Sequence, residues 1–142
     1  MNLNIKSNDC LYYVNKEKRK VICIIKNTKY LFLNYIEDFN LYLDCEDTTL
    51  YSQLLMPTRF IGIATCTPED TFNESLGRKI AFNKAKTKLH NSFFKRAQTY
   101  TNKIDEEFNK MITSINTYGE CLARNAEKRD KEIEALLDAK EK

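Results

Sequence analysis

Histidine occurs once, proline twice, glycine three times and tryptophan not at all in this chain of 142 residues. A single imidazole, His90, cannot build a multi-histidine metal cage or a paired acid–base site. Gly62, Gly77 and Gly119 stand too far apart for a phosphate-cradling glycine loop. Five cysteines are present, Cys10, Cys23, Cys45, Cys66 and Cys121. Their odd number and wide spacing, with no C-x-x-C pair, argue against zinc and disulfide frameworks. Cys23, Cys45 and Cys66 lie among strand formers and are expected as reduced, buried thiols. No apolar run approaches the ~20 residues that span a bilayer, and Met1-Asn2-Leu3-Asn4 has no signal core. The expectation is a cytoplasmic protein with no cofactor, no metal and no catalytic set. Glu69 and Asp70, the nearest thing to an acid pair, are explained by helix capping.

What is present is an ordinary globular balance, 42% hydrophobic and 30% charged, which argues against disorder and for one domain over residues 1–142. Its first half reads as strands, over about 10–66. Leu11-Tyr12-Tyr13-Val14 and Val21-Ile22-Cys23-Ile24-Ile25 flank a polar run, the pattern of a hairpin. A turn at Lys26–Lys29 leads to Tyr30-Leu31-Phe32-Leu33, read as a further strand. Phe39–Cys45 begins with alternation, and Leu50–Met56 reads as a strand or a short helical turn ended by Pro57. Phe60–Cys66 is the last strand, where Gly62 marks a bulge or a close backbone approach. Consecutive strands joined by short links predict an antiparallel sheet, so the fold class is α+β.

Thr67-Pro68-Glu69-Asp70 supplies a cap, a first-turn proline and first-turn acids, so a helix is expected from about residue 68, with Asn73 as the alternative start. Apolar residues then recur at helical steps to about residue 140: Phe72, Leu76, Ile80, and from Leu89 through Tyr100, Ile104, Phe108, Met111, Ile115 and Tyr118 to Leu122. A straight helix from Thr71 to Asn116 would run about 70 Å, so a break is expected at 90–92, 99–102 or 116–119. An oligomer covering the apolar stripe is expected as well.

Net charge is only +3, yet eight cations and no acid fall between Arg78 and Lys103. That concentration favours an anionic partner. Phe82, Asn91, Phe93, Phe94 and Tyr100 are interleaved with the charges. Cations neutralise phosphate, Asn reads a base edge and a ring stacks on a base. Phe82 sits off the Ile80 side of the helix, as either a subunit contact or a ligand stacker. Arg59, at the start of the last strand, and Arg124 with Asn125 could approach a phosphate from other elements or another protomer. Each of these cations also reads simply as a solvated surface residue.

The segment from Phe60 to Lys86, with its Cys66-Thr-Pro-Glu-Asp-Thr-Phe72 turn running into a helix bearing Gly77 and basic residues, resembles a phrase of small bacteriophage proteins. Over roughly residues 20–125 the chain is similar to the first family of phage Thoeris anti-defence proteins. These sponges sequester the cyclic ADP-ribose signal of host TIR-domain enzymes, and some hold cyclic oligonucleotides of the related CBASS systems. The resemblance implies a homo-oligomer, a hexamer built from dimers in the host bacterial cytoplasm, with pockets where protomers meet and no cleavage of the ligand. It implies that Phe82 stacks on adenine, that Asn91 hydrogen-bonds the ligand, and that Arg59, Arg78, Arg124 and Asn125 hold phosphate and ribose. The alternative is a nucleic-acid-binding phage protein using the cationic helix 78–103; a charge of only +3 and acidic flanks make that partner the less expected one.

Overall fold

The computed structural model describes residues 3–39, 41 and 48–141. The order of elements is β1 (Leu11–Asn15), β2 (Lys20–Lys26), α1 (Leu31–Asp38), α2 (Thr48–Leu54), β3 (Arg59–Thr65) and α3 (Glu74–Glu141). The fold is α+β: a three-stranded sheet, β1-β2-β3, antiparallel at both junctions, followed by one long helix. By internal packing the chain divides into two units, one ending at Asn102 and one beginning at Lys103.

Strand alternation sorts the sheet into two faces. Pairing of Tyr12 with Cys23 and of Val14 with Val21, then of Cys23 with Gly62 and of Ile25 with Phe60, fixes the register. Val21, Cys23, Ile25, Phe60 and Ala64 are buried on the inner face. There they join Phe32 and Ile36 of α1, Leu50 and Leu54 of α2, and Ala81, Ala85, Leu89 and Tyr100 of α3 in one core. Leu11, Tyr13 and Ile63 are exposed on the outer face, which Arg59 shares. Arg19 closes the β1–β2 turn in the left-handed region at φ 52°, and Lys18 N–H donates to Asn15 Oδ1 at 2.8 Å.

Several expected boundaries are corrected. Tyr30–Leu33 is no strand: residues 31–38 form α1, because Phe32 and Ile36, one helical step apart, both reach the core. A short unbroken apolar run cannot reveal its period, so strand and helix look alike there. The turn before it is a strand-to-helix corner. Asn27 takes φ 59°, and buried Thr28 ties down the β3 approach through Oγ1 to the Pro57 carbonyl at 2.5 Å. Of the two readings of residues 50–56, the helical one is correct, as α2. The strand expected at Phe39–Cys45 falls mostly outside the described residues, Cys45 included; Phe39 caps α1.

Asn73 caps α3, its Oδ1 accepting from Leu76 N–H at 3.1 Å, so the later of the two anticipated starts is the real one. Thr67 instead closes a turn onto Asp70, through Asp70 N–H to the Thr67 carbonyl and Thr67 Oγ1 to Asp70 Oδ2 at 2.7 Å. None of the expected breaks interrupts α3. Thr99 and Thr101 donate to the carbonyls of Lys95 and Ala97 four residues back, so their hydroxyls are satisfied within the helix. Gly119 adopts no positive φ.

The opening of the apolar stripe also faces otherwise than expected. Leu76 and Ile80 are exposed, while Gly77, Ala81 and Ala85 turn to the sheet. Small residues are needed because the backbones nearly touch. A β-carbon on Gly62 would collide with the Ala81 carbonyl oxygen and lie 2.5 Å from Ala85 N; one on Gly77 would lie 2.7 Å from Val21 Cγ2. Gly62→Ala should therefore cost about 3 kcal/mol or abolish folding. Gly119→Ala, with open space around it, should gain about 0.5–1 kcal/mol. Urea denaturation of the two variants checks both signs.

Candidate ligand-binding site

Because α3 lies flush on the inner face of the sheet, its first seven turns present two flanks. One faces the β3 edge. Lys84 Nζ donates to the Ile63 carbonyl at 3.0 Å and Lys88 Nζ to the Ile61 carbonyl at 2.7 Å. These lysines occupy acceptors that an edge strand would otherwise offer to another chain. An open groove of about 620 Å³ runs here, lined by Ile63, Ile80, Asn83, Lys84, Thr87 and Lys88. Asn91 continues the row of Asn83 and Thr87 at the next helical step and is exposed.

The other flank faces β1. Arg78 lies with its guanidinium 5.0 Å from the Tyr12 ring centroid, and its Nε and Nη2 both donate to Glu74 Oε1, at 3.2 and 2.9 Å. One turn on, Phe82 packs half-buried against the core, and Lys86 Nζ stands 5.6 Å from its ring centroid. Arg78, Phe82 and Lys86 are thus a row at steps of four, a cation, a ring and a cation. Tyr12 in turn neighbours two thiols. Cys10 and Cys23 are neighbours, and burial pushes both thiols up, Cys10 to about 12, with Cys23 beside it reinforcing the shift. Tyr12 is raised too, first by burial.

The six residues singled out from the sequence are dispersed. Phe82 and Asn91 are nine residues, about two and a half helical turns, apart and so point to opposite sides of α3. Arg78 shares the Phe82 flank, whereas Arg59 is exposed on the outer sheet face, paired across the strands with Lys26. Arg124 and Asn125 belong to the second unit and are exposed. Tyr12 and Lys86 were missed as site residues. Lys86 was legible as the residue four after Phe82; Tyr12 was not, because only strand pairing brings it to the helix. Of the other rings interleaved with the cations, Phe93 packs edge-on to Phe32 at 5.0 Å, whereas Phe94 is 62% exposed.

A second cavity, a cleft of about 420 Å³, opens between the end of β3 and the start of α3, with Arg19, Cys66, Phe72, Asn73, Leu76 and Ile80 in its wall. Arg19 spans it as a brace. Its guanidinium donates to the Pro68 carbonyl at 2.9 Å, to the Asp70 carbonyl, and to Cys66 Sγ at 3.5 Å. Arg96 similarly fastens α3 to the segment before β3, donating to the Leu55 carbonyl at 3.1 Å, while Ser92 Oγ one helical turn back holds the guanidinium at 2.8 Å. Among the described residues no group of three or more His, Cys, Asp or Glu side chains is placed to hold a metal ion. No helix among them is long and apolar enough to cross a membrane. Neither a family model, nor a curated protein, nor a solved structure matches the chain.

Thiol reactivity tests the packing beneath the β1 flank. Cys121 is exposed, whereas Cys23 is buried. At pH 8 an alkylating reagent should label Cys121 well before Cys10 or Cys23. Cys10 labelling should then climb about tenfold per pH unit toward its raised pKa, since only the thiolate reacts. Peptide mass spectrometry across a pH series reads both; equal rates for Cys10 and Cys121 at pH 8 would contradict the arrangement.

Proposed function

We propose that this protein is a non-catalytic phage sponge that sequesters a small cyclic nucleotide signal, a cyclic ADP-ribose isomer or a cyclic trinucleotide. It thereby denies host Thoeris or CBASS effectors their activator. The observation that carries the reading is the row Arg78–Phe82–Lys86 beside Tyr12. It sets two cations and two rings along one flank, a combination suited to a phosphorylated ring ligand. Asn91, with the groove-lining Asn83 and Thr87, offers hydrogen-bonding groups on the opposite flank. A ligand that meets both Phe82 and Asn91 is therefore held between protomers. That requirement agrees with the homo-oligomer implied by resemblance to the Thoeris anti-defence family. Arg59, Arg124 and Asn125 are the further groups that such an assembly would bring to phosphate and ribose.

The disposition of charge favours a compact ligand over a long polyanion. Lys84, Lys88 and Arg96 already hold backbone carbonyls, and Lys103 pairs with Glu106 and Glu107. Fewer cations are thus left to track a nucleic-acid backbone than the sequence suggests.

Calorimetric titration with cyclic ADP-ribose isomers, cyclic trinucleotides and single-stranded DNA tests the proposal. Mass spectrometry of ligand released by denaturation completes it. Submicromolar binding of one cyclic nucleotide, recovered unchanged, is expected. Phe82→Ala and Arg78→Ala should each weaken that binding at least tenfold, about 1.4 kcal/mol, without changing oligomer size. Chemically altered ligand, or binding of DNA alone, would overturn it.

A further inference from the structure

The second unit carries an apolar stripe that no described residue covers. Ile104, Phe108, Met111, Ile115, Tyr118 and Leu122 follow one another at alternating steps of four and three, and Ile115 and Tyr118 are each 66% exposed. Steps of four and three are the 3.5-residue period of a coiled-coil seam, with Phe108, Ile115 and Leu122 at a and Ile104, Met111 and Tyr118 at d. No charged residue occurs from Met111 to Gly119. The ion pairs of this stretch, Lys103 and Lys110 with Glu106 and Glu107, lie away from the seam or at its margin. A lone helix with such a face lacks the packing that normally stabilises helices in water.

We infer that Ile104–Leu122 is a self-complementary interface, occupied by the same segment of a second copy of this chain running antiparallel. About a two-fold axis at Thr113, Ile104 meets Leu122, Phe108 meets Tyr118 and Met111 meets Ile115, so every a side chain faces a d side chain and every pair is apolar. Ile112, otherwise an exposed isoleucine beside the seam, meets its own counterpart at the axis. A parallel, in-register pair would instead continue into Arg129 against Arg129 and Glu132 against Glu132, like charges inside the seam. Together these seven residues expose roughly 700 Å², the upper limit to what pairing removes from each protomer and just under the ~800 Å² per partner of a stable interface.

This inference does not rest on the ligand reading, since its test contains no ligand. Sedimentation equilibrium of the full chain should give a self-associated species whose smallest unit is the dimer. Ile115→Asp should weaken that association a hundredfold or more by burying charge, whereas Thr113→Asp, on the outward side of the same helix, should leave it unchanged. Near-ultraviolet circular dichroism of the sheet-packed aromatic residues checks that Ile115→Asp has not unfolded the first unit. In a Cys121→Ser background, Ser114→Cys, which meets its counterpart beside the axis, should form a cross-linked dimer on mild oxidation, and Met111→Cys should not. A monomeric wild-type chain, an Ile115→Asp chain that still associates, or cross-linking through Met111→Cys alone would each overturn the proposal.

Discussion

The missing β-carbon at Gly62 is the constraint from which the rest of the first unit follows. Without it the α3 backbone at Ala81 and Ala85 settles directly onto β3, closer than any side chain permits. That contact fixes which side of the helix is buried, so Gly77, Ala81, Ala85 and Leu89 form the packed row although larger residues stand beside them. It also fixes the two flanks. Lys84 and Lys88 come within reach of the β3 carbonyls, and Arg78 comes to rest over Tyr12, because the helix axis is held low over the strands. Raising the helix by one methyl group would strain all these contacts together.

The cations of α3 divide into fasteners and candidates for binding, and the division has an electrostatic logic. A lysine that donates to an edge carbonyl satisfies an acceptor and adds charge where another strand would otherwise dock. Arg96 and Arg19 do the same for loop carbonyls on either side of β3. A guanidinium engaged with neutral carbonyls keeps its full charge, so these residues still contribute to the positive field around the helix. Arg78 differs, since Glu74 neutralises it in part and a ring supports its other face. An incoming phosphate would compete with Glu74 for the guanidinium, an exchange of one exposed anion for another.

Much of the fold was legible in the sequence, and the parts that were not share a cause. β1, β2 and β3 were evident because β-branched runs meet turn residues at both ends, and of the two readings of Gly62, a bulge or a close backbone approach, the second holds. The identity of α1 was hidden because Tyr30–Leu33 is uniformly apolar and shows no period over so short a run. Leu76 and Ile80 misled for a related reason: hydrophobicity marks what tends to be buried, whereas close packing here selects for smallness. The candidate site was legible only along the helix, where Phe82 and Lys86 are four residues apart. Tyr12 reaches that flank through strand register, which no local pattern encodes.

The expected break in α3 rested on a length argument, and its failure is informative. Residues 74–141 nevertheless form one element, and the later part of its apolar stripe belongs to the second unit. The sequence resolves this at Lys103, where small residues facing a sheet give way to large ones at heptad spacing. Gly77, Ala81 and Ala85 serve an intimate contact within one chain, whereas Phe108, Ile115 and Leu122 have the bulk that interlocks between helices. None of the seam residues belongs to either flank of the ligand-binding candidate. Assembly and capture thus draw on separate residues of one helix, and a substitution that abolishes the first without touching the Arg78–Phe82–Lys86 row isolates what the second requires.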